Sequence, residues 1–588
     1  MKKIARYILM AAACLVMWQC GPDNPDNPDN PDDPPVNPDP EIHIIGSSEF
    51  DFNEDGGKCS FTFTSATDWT ATPDDGWLHV NQTAGSGSEF EIDIDLTCDA
   101  NLGEEPRTGT VTIAAGPLEE KITVTQAERI PEGPKSSECV LTALNFVPSV
   151  NPTLSSQLSY SPRNIRGYDI IFVTFPDGAD MTSMIPHFEV SKKATVYVGE
   201  EKIVNGKTPV DFTKNEPWTV VAEDGEHSMT YMMMARRGIP AIDRKIYSFL
   251  GTYSIPAVGL AVTRNGQIVY AAGYGLADAG NDPVFCTETH LFRLASVSKT
   301  LTSICILRLC QEGRLSLDDK VFAPGGPLAD MFPGTHASRV DDIKVRDLLT
   351  HRSGWTNSNI GDDPIFPYTS RFASIRTLKE RVATVVKNNS PAYTPGTTYS
   401  YSNLGFCVLG LVIEQVTGKG YETYLREVTA MAGANDIWVS KNARNQKRDN
   451  ECVFYAQDGA YPYDNDMTIS AACGGITASA MDMARILNAI DYGTNPPDIL
   501  EPEWLDKMYT NYTSSYPGGY GFGWWIGHGT LTNWATYHTG SLSGTATLWV
   551  RGKNGVSGVI LCNSRNYKSS FDTDMYLALD NAMTRILE

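Results

Sequence analysis

At 588 residues and 64.4 kDa, the chain holds material for about three or four domains. Its 41% hydrophobic and 20% charged residues form a globular balance that excludes a wholly disordered protein. A formal charge of −23 argues against nucleic acid or an anionic lipid surface as partner, and the nine histidines show no metal-site spacing. No metal and no cofactor is therefore expected.

Residues 1–20 read as an export signal: Lys2, Lys3 and Arg6 precede an apolar stretch over 7–18 that is too short to span a bilayer. The stretch ends at Cys20 and resembles a lipoprotein signal, which implies that Cys20 is lipidated and anchors the chain to a membrane. Residues 21–40 repeat Pro22-Asp23-Asn24 and stay rich in Pro and Asp, so they form an extended, solvated spacer. An acidic run directly after the cysteine resembles the surface-export signal of outer-membrane lipoproteins in some Gram-negative gut bacteria. That resemblance implies an exported, cell-surface or otherwise periplasmic protein. The twelve cysteines contain no Cys-x-x-Cys, and Cys305, Cys310 and Cys407 fall in apolar helical runs, so buried free thiols are expected. Cys59 and Cys98 are candidates for a pair within one sandwich.

Residues 41–128 alternate apolar and polar positions in short runs over 59–64, 90–96, 110–114 and 121–125, the pattern of an all-β sandwich. Asp68-Trp69-Thr70-Ala71, Gly76-Trp77-Leu78-His79-Val80 and the ending Ile122-Thr123-Val124-Thr125-Gln126-Ala127 resemble a BACON module, whose name implies weak glycan contact. Trp69 and Trp77 are expected mainly in packing roles. After a linker at Glu132-Gly133-Pro134, residues 136–236 form a second β module with strands near 170–174, 194–198 and 218–222. Its ending, Ala222-Glu223-Asp224-Gly225 followed by Met229-Thr230-Tyr231-Met232, resembles the terminal hairpin of immunoglobulin-like repeats. Neither module carries convergent polar chemistry, so a spacer or adhesive role is expected of both.

From residue 240 the pattern changes. A helix over 242–250 leads into strands over 257–262 and 267–272, joined by the hairpin signal Asn265-Gly266. Late strands follow near 523–527, 534–538, 547–550 and 556–561, and a helix over 573–586 closes the chain. Strands at both ends with helices between them predict one antiparallel sheet plus a helical insertion. The fold class is thus multidomain: two all-β sandwich modules, then an α/β (α+β) domain over 240–588.

Leu294-Ala295-Ser296-Val297-Ser298-Lys299-Thr300 opens an apolar helical run, and a spacing of three sets Ser296 and Lys299 on one helix face. A serine hydroxyl needs a nearby base. Lysine can be that base only when neutral, which requires a depressed pKa. Alone the Ser-x-x-Lys motif is weak. Tyr401-Ser402-Asn403 follows it, ahead of an apolar helix over 407–416, and His538-Thr539-Gly540 follows on a strand. This ordered triple resembles the serine β-lactamase and penicillin-binding family, in its class C-like branch with DD-peptidases and esterases. Leu348-Leu349-Thr350-His351-Arg352-Ser353-Gly354, Cys473-Gly474-Gly475-Ile476 and Tyr520-Gly521-Phe522-Gly523-Trp524 extend the match across 240–588.

The resemblance implies that Ser296 forms an acyl-enzyme. Lys299 accepts its proton, or holds the hydroxyl while Tyr401 does so. Asn403 would orient Lys299 and a substrate amide; the backbone N–H groups of Ser296 and Ser541 would form an oxyanion hole. His538, Thr539 and Gly540 would line the substrate along the strand. Where class C enzymes carry lysine in the third motif, this chain has His538, only partly charged near neutral pH. A small-molecule or peptide substrate with an amide or ester bond is therefore favoured over a β-lactam; a glycan-binding lipoprotein with an inert domain is the reading of another class. Tyr463-Asp464-Asn465, His528 and His351 are expected in structural roles. No Gly-x-Ser-x-Gly elbow occurs.

Overall fold

The computed structural model describes residues 41–588 except 131–132, 362, 367–370 and 514–517. The expected signal, its residue Cys20, the spacer over 21–40 and Glu132 of the expected linker lie outside the described residues. The chain divides into two compact units, Met1–Lys135 and Ser136–Glu588.

The first unit is a β-sandwich. A four-stranded sheet runs Ile42–Ile45, Gly57–Ser65, Ser88–Cys98, Leu78–Val80. The facing five-stranded sheet runs Glu49–Phe52, Leu118–Gln126, Arg107–Ala115, Trp69–Pro73, Ala84–Gly85. Strict alternation buries Val111, Ile113 and Ala115 between the sheets. Trp69 is buried edge-on to Phe63, and Trp77 is half-buried beneath the Arg107 guanidinium, 4.1 Å from its ring centroid. Both tryptophans are thus spent on packing. Cys59 stands opposite Leu96 and Cys98 opposite Gly57; both thiols are free.

The second unit joins the second β module to the α/β domain through shared core. The module carries a three-stranded sheet and a six-stranded one, the latter with Tyr168–Phe175 parallel to Ser228–Arg237. Its residues Ile165, Ile170 and Phe172 pack into the same apolar cluster as Ile246, Tyr247 and Leu250 of helix Pro240–Tyr253. Arg236 pairs with the buried Asp243 at 2.7 Å, and Thr174, Tyr270 and Tyr274 donate hydroxyls to the same carboxylate. Tyr168 donates to the Gly280 carbonyl at 2.6 Å, and the Arg166 guanidinium lies 4.3 Å over Tyr455. The spacer expected from sequence is instead a lobe fused to the α/β domain.

That domain is built on an eight-stranded antiparallel sheet, in the order Val284–Phe285, Gln267–Asp278, Ala257–Arg264, Val556–Cys562, Thr545–Gly552, Trp534–Leu542, Trp525–Ile526, Gly519–Tyr520. Its two chain ends meet where Ala257–Arg264 pairs with Val556–Cys562. Asn265 and Gly266, both with positive φ, make the tight turn between the first two strands. Helices Pro240–Tyr253 and Phe571–Leu587 cover one face; the helical insertion covers the other. The strand expected over 523–527 is shortened to Trp525–Ile526, which pairs with Gly519–Tyr520 across a turn where Gly523 holds φ +77.

Candidate active site

Strand Leu291–Arg293 ends in a 3₁₀ turn, Ala295–Val297, which passes directly into helix Ser298–Gln311. Ser296 therefore sits on a tight elbow just ahead of the helix, not within its first α-helical turn. Ala295 holds φ +47, a conformation costly for a residue with a Cβ. The flanking Ala295 and Val297 are buried and leave the Ser296 hydroxyl at the surface of a cleft.

Lys299 is fully buried. Its ammonium donates to Ser296 Oγ at 3.1 Å and to the Cys473 carbonyl at 2.7 Å, and lies 4.8 Å from the Tyr401 ring centroid. Burial pulls the lysine pKa down, but the Tyr401 phenol and nearby Cys473 push it up, and the balance lies above the ordinary lysine value. The surroundings thus favour the ammonium over the neutral amine that a lysine base requires.

Tyr401 and Asn403 flank Ser402, whose hydroxyl caps helix Asn403–Thr417 by accepting from the Gly405 N–H at 3.1 Å. Asn403 Nδ2 donates to Asp363 Oδ2 at 2.7 Å, so a buried carboxylate holds its amide. No motif signalled Asp363.

Along strand Trp534–Leu542 burial alternates, which puts His538 and Gly540 on the inward face and Thr539 and Ser541 on the other. His538 Nδ1–H donates to the Thr539 carbonyl at 2.7 Å, and Nε2 accepts the Tyr520 hydroxyl at 2.9 Å. Burial, helped by the Lys299 charge, pushes its pKa down to about 3. The expected partly charged ligand for a substrate carboxylate is a neutral, internally bonded imidazole. Gly540 also differs from its expected substrate role. A Cβ there would stand 2.2 Å from the Leu294 carbonyl oxygen, so the glycine lets the strand abut the nucleophile turn.

Ser296, Asn403, Ser541 and Leu542 share a narrow cleft of about 40 Å³ with Cys473 and Gly474. Asn465 lines it too, with its Oδ1 buried and lacking a partner among the described residues, so this member of the discounted Tyr463-Asp464-Asn465 run reaches the site. Thr539 is not among the cleft-lining residues. His528 packs against Trp534, Tyr537 and Tyr576, away from the nucleophile. A larger cavity of about 560 Å³ lies behind helix Asn403–Thr417 and does not contain Ser296.

The beta-lactamase family model matches residues 242–582, the BACON model residues 67–127 and the "SGBP, N-terminal" model residues 166–234. Protein flp of Staphylococcus aureus strain N315 is 24% identical over 311 residues, 50% of this chain and 59% of its own. The chain thus spans about three-fifths of that relative's length. Among solved structures, a class C beta-lactamase is 21% identical over 59% of this chain and 96% of its own, with a TM-score of 0.48. The D-amino acid amidase of Ochrobactrum anthropi is 22% identical over 59% of this chain and 98% of its own, with a TM-score of 0.47. With the family model covering more than half of its length, this chain belongs to the beta-lactamase family, a group of serine hydrolases and penicillin-binding proteins.

Proposed function

We propose that residues 240–588 hydrolyse an amide or ester through an acyl-enzyme on Ser296. The observation that carries this reading is the buried Lys299 ammonium bonded to Ser296 Oγ at 3.1 Å. Ser296 Oγ attacks the substrate carbonyl while its proton passes to Tyr401 in its phenolate form, which becomes a phenol. The Lys299 cation holds that phenolate before the transfer, and the negative charge moves to the substrate carbonyl oxygen. Backbone N–H groups of Ser296 and Ser541 receive the carbonyl oxygen, each such donor being worth about 3–4 kcal/mol. Tyr401 returns the proton to the leaving amine or alcohol, and water, activated the same way, releases the acyl group.

The described residues lining the cleft include no lysine, arginine or histidine, and His538 is neutral. This supports an acyl donor without a carboxylate, such as an ester or a D-amino-acid amide, over a β-lactam bearing one. Comparing kcat/KM for a neutral ester, a D-amino-acid amide and a chromogenic cephalosporin tests this. A neutral donor at least about tenfold better is expected from an unpaired buried carboxylate; preference for the cephalosporin restores the β-lactamase reading.

We further propose that Cys20 is lipidated and tethers the chain to the outer membrane. Lipidation at Cys20 is tested by metabolic labelling with an alkyne fatty acid. The label should vanish in Cys20→Ser, and an unlabelled wild type removes the anchor and its outer-membrane location. Weak glycan contact through the N-terminal modules is supported by the BACON and SGBP matches. Retention on polysaccharide columns tests it, and the buried Trp69 should play no part.

A further inference from the structure

Tyr401 lies in a loop that no sheet ladder fixes, yet its phenol must meet Ser296 and Lys299 within fractions of an ångström. His351, which the sequence places in a turn, sits at φ +55 and is 1% exposed. Its backbone carbonyl accepts the Ser400 N–H at 2.8 Å, and its Nδ1 accepts the Ser402 N–H at 3.0 Å. One residue thus holds the backbone on both sides of Tyr401. Its imidazole also packs against the Tyr401 ring, with centroids 4.2 Å apart and planes tilted by 35°.

The other side of the imidazole's surroundings is equally built. Phe406 lies 5.0 Å and Tyr520 4.8 Å away, and Tyr520 donates to His538. Lys299, Tyr401, His351, Tyr520 and His538 therefore form one continuous column from the nucleophile helix to the third-motif strand. Because Nδ1 accepts an N–H, the neutral ring carries its proton on Nε2. That nitrogen is buried with no hydrogen-bond partner among the described residues, so the ring is walled by other rings rather than by polar groups. Burial and the neighbouring Lys299 charge keep the imidazole neutral, with its pKa well below the ordinary value.

We propose that His351 is the positioning residue for Tyr401, clamping the backbone on either side of it and stacking on its ring so that the phenol oxygen meets Ser296. This rests on the hydrolase reading above. His351→Phe keeps a ring and loses the acceptor; His351→Asn keeps a short acceptor, tolerates positive φ and loses the ring. Measured on the full chain with a neutral ester, each should lower kcat by roughly 10- to 100-fold, as a misplaced catalytic group does, with KM within about threefold. Each should also shift the pH dependence of acylation, which a merely structural residue would leave unmoved. Wild-type kcat and pH profile in both variants, with only the melting temperature lowered, overturns the proposal. If the variants do not fold, nitrogen NMR of wild-type histidines decides: an Nε2–H tautomer at His351 supports the clamp, and an Nδ1–H tautomer overturns it. A wild type that turns over no ester overturns the hydrolase reading and this inference together, whereas wild-type turnover with unaffected variants overturns this inference alone.

Discussion

At the scale of single residues, charge state separates the members of the site. Lys299 is a buried cation, while His538 and His351 are buried and neutral. Replacing Lys299 by Met should therefore slow acylation by several orders of magnitude, since residues acting as a unit lose most of their effect together. Stopped-flow release of an ester chromophore reads this directly; a loss below about tenfold would remove Lys299 from the chemistry. The two histidines also set acid stability. Their folded pKa values lie below the unfolded value near 6.5. At neutral pH the fold is at full strength, and as pH falls from 6.5 towards 3 the unfolded chain takes up protons that the fold refuses. Melting temperature should drop between pH 7 and pH 4, and His538→Asn should flatten that slope; an unchanged slope would mean that the imidazole is protonated in the fold. Sequence made Ser296, Lys299 and Tyr401 legible because spacing and order carry them. It could not show the neutrality of His538, which comes from burial and the nearby Lys299 charge, against the opposing pull of its bond to the Thr539 carbonyl.

At the scale of elements, the nucleophile turn and the third-motif strand form one contact. Thr547 Oγ1 donates to the Leu294 carbonyl at 2.8 Å, and Gly540 faces the same carbonyl from the neighbouring strand. Gly540→Ala should push that strand from the turn, costing about 1–3 kcal/mol of stability as overpacking does. Activity should fall further than the loss of folded protein explains; wild-type turnover and melting temperature would show that the strand has room to move. The Asn265-Gly266 hairpin and the end-to-end sheet follow from turn chemistry and period-2 patterning, which are local signals. The positive φ of Ala295 left no such signal, because the strain is held by packing from strands more than 200 residues away.

At the scale of the whole molecule, residues 136–236 keep a core of their own and also lend Ile165, Ile170 and Phe172 to one of the cores of 240–588. Cutting between them would leave Asp243 without Arg236 and expose the apolar partners of Ile170 and Phe172. Removing one partner of a buried ion pair alone costs about 3–5 kcal/mol. A fragment of residues 240–588 should melt well below residues 136–588 or precipitate, by calorimetry of both; equal melting temperatures would make the module a true spacer. Its strands were readable from alternation, but its docking was not, since Arg236 and Asp243 signal nothing until the fold brings them together. Whether Ser296 carries the acyl group is read from the intact mass of the purified full chain, acid-quenched during turnover of a neutral ester. A mass gain of one acyl group that maps to Ser296 and is absent from Ser296→Ala is expected. Wild-type turnover by Ser296→Ala, or an acyl group mapped to another residue, would contradict it.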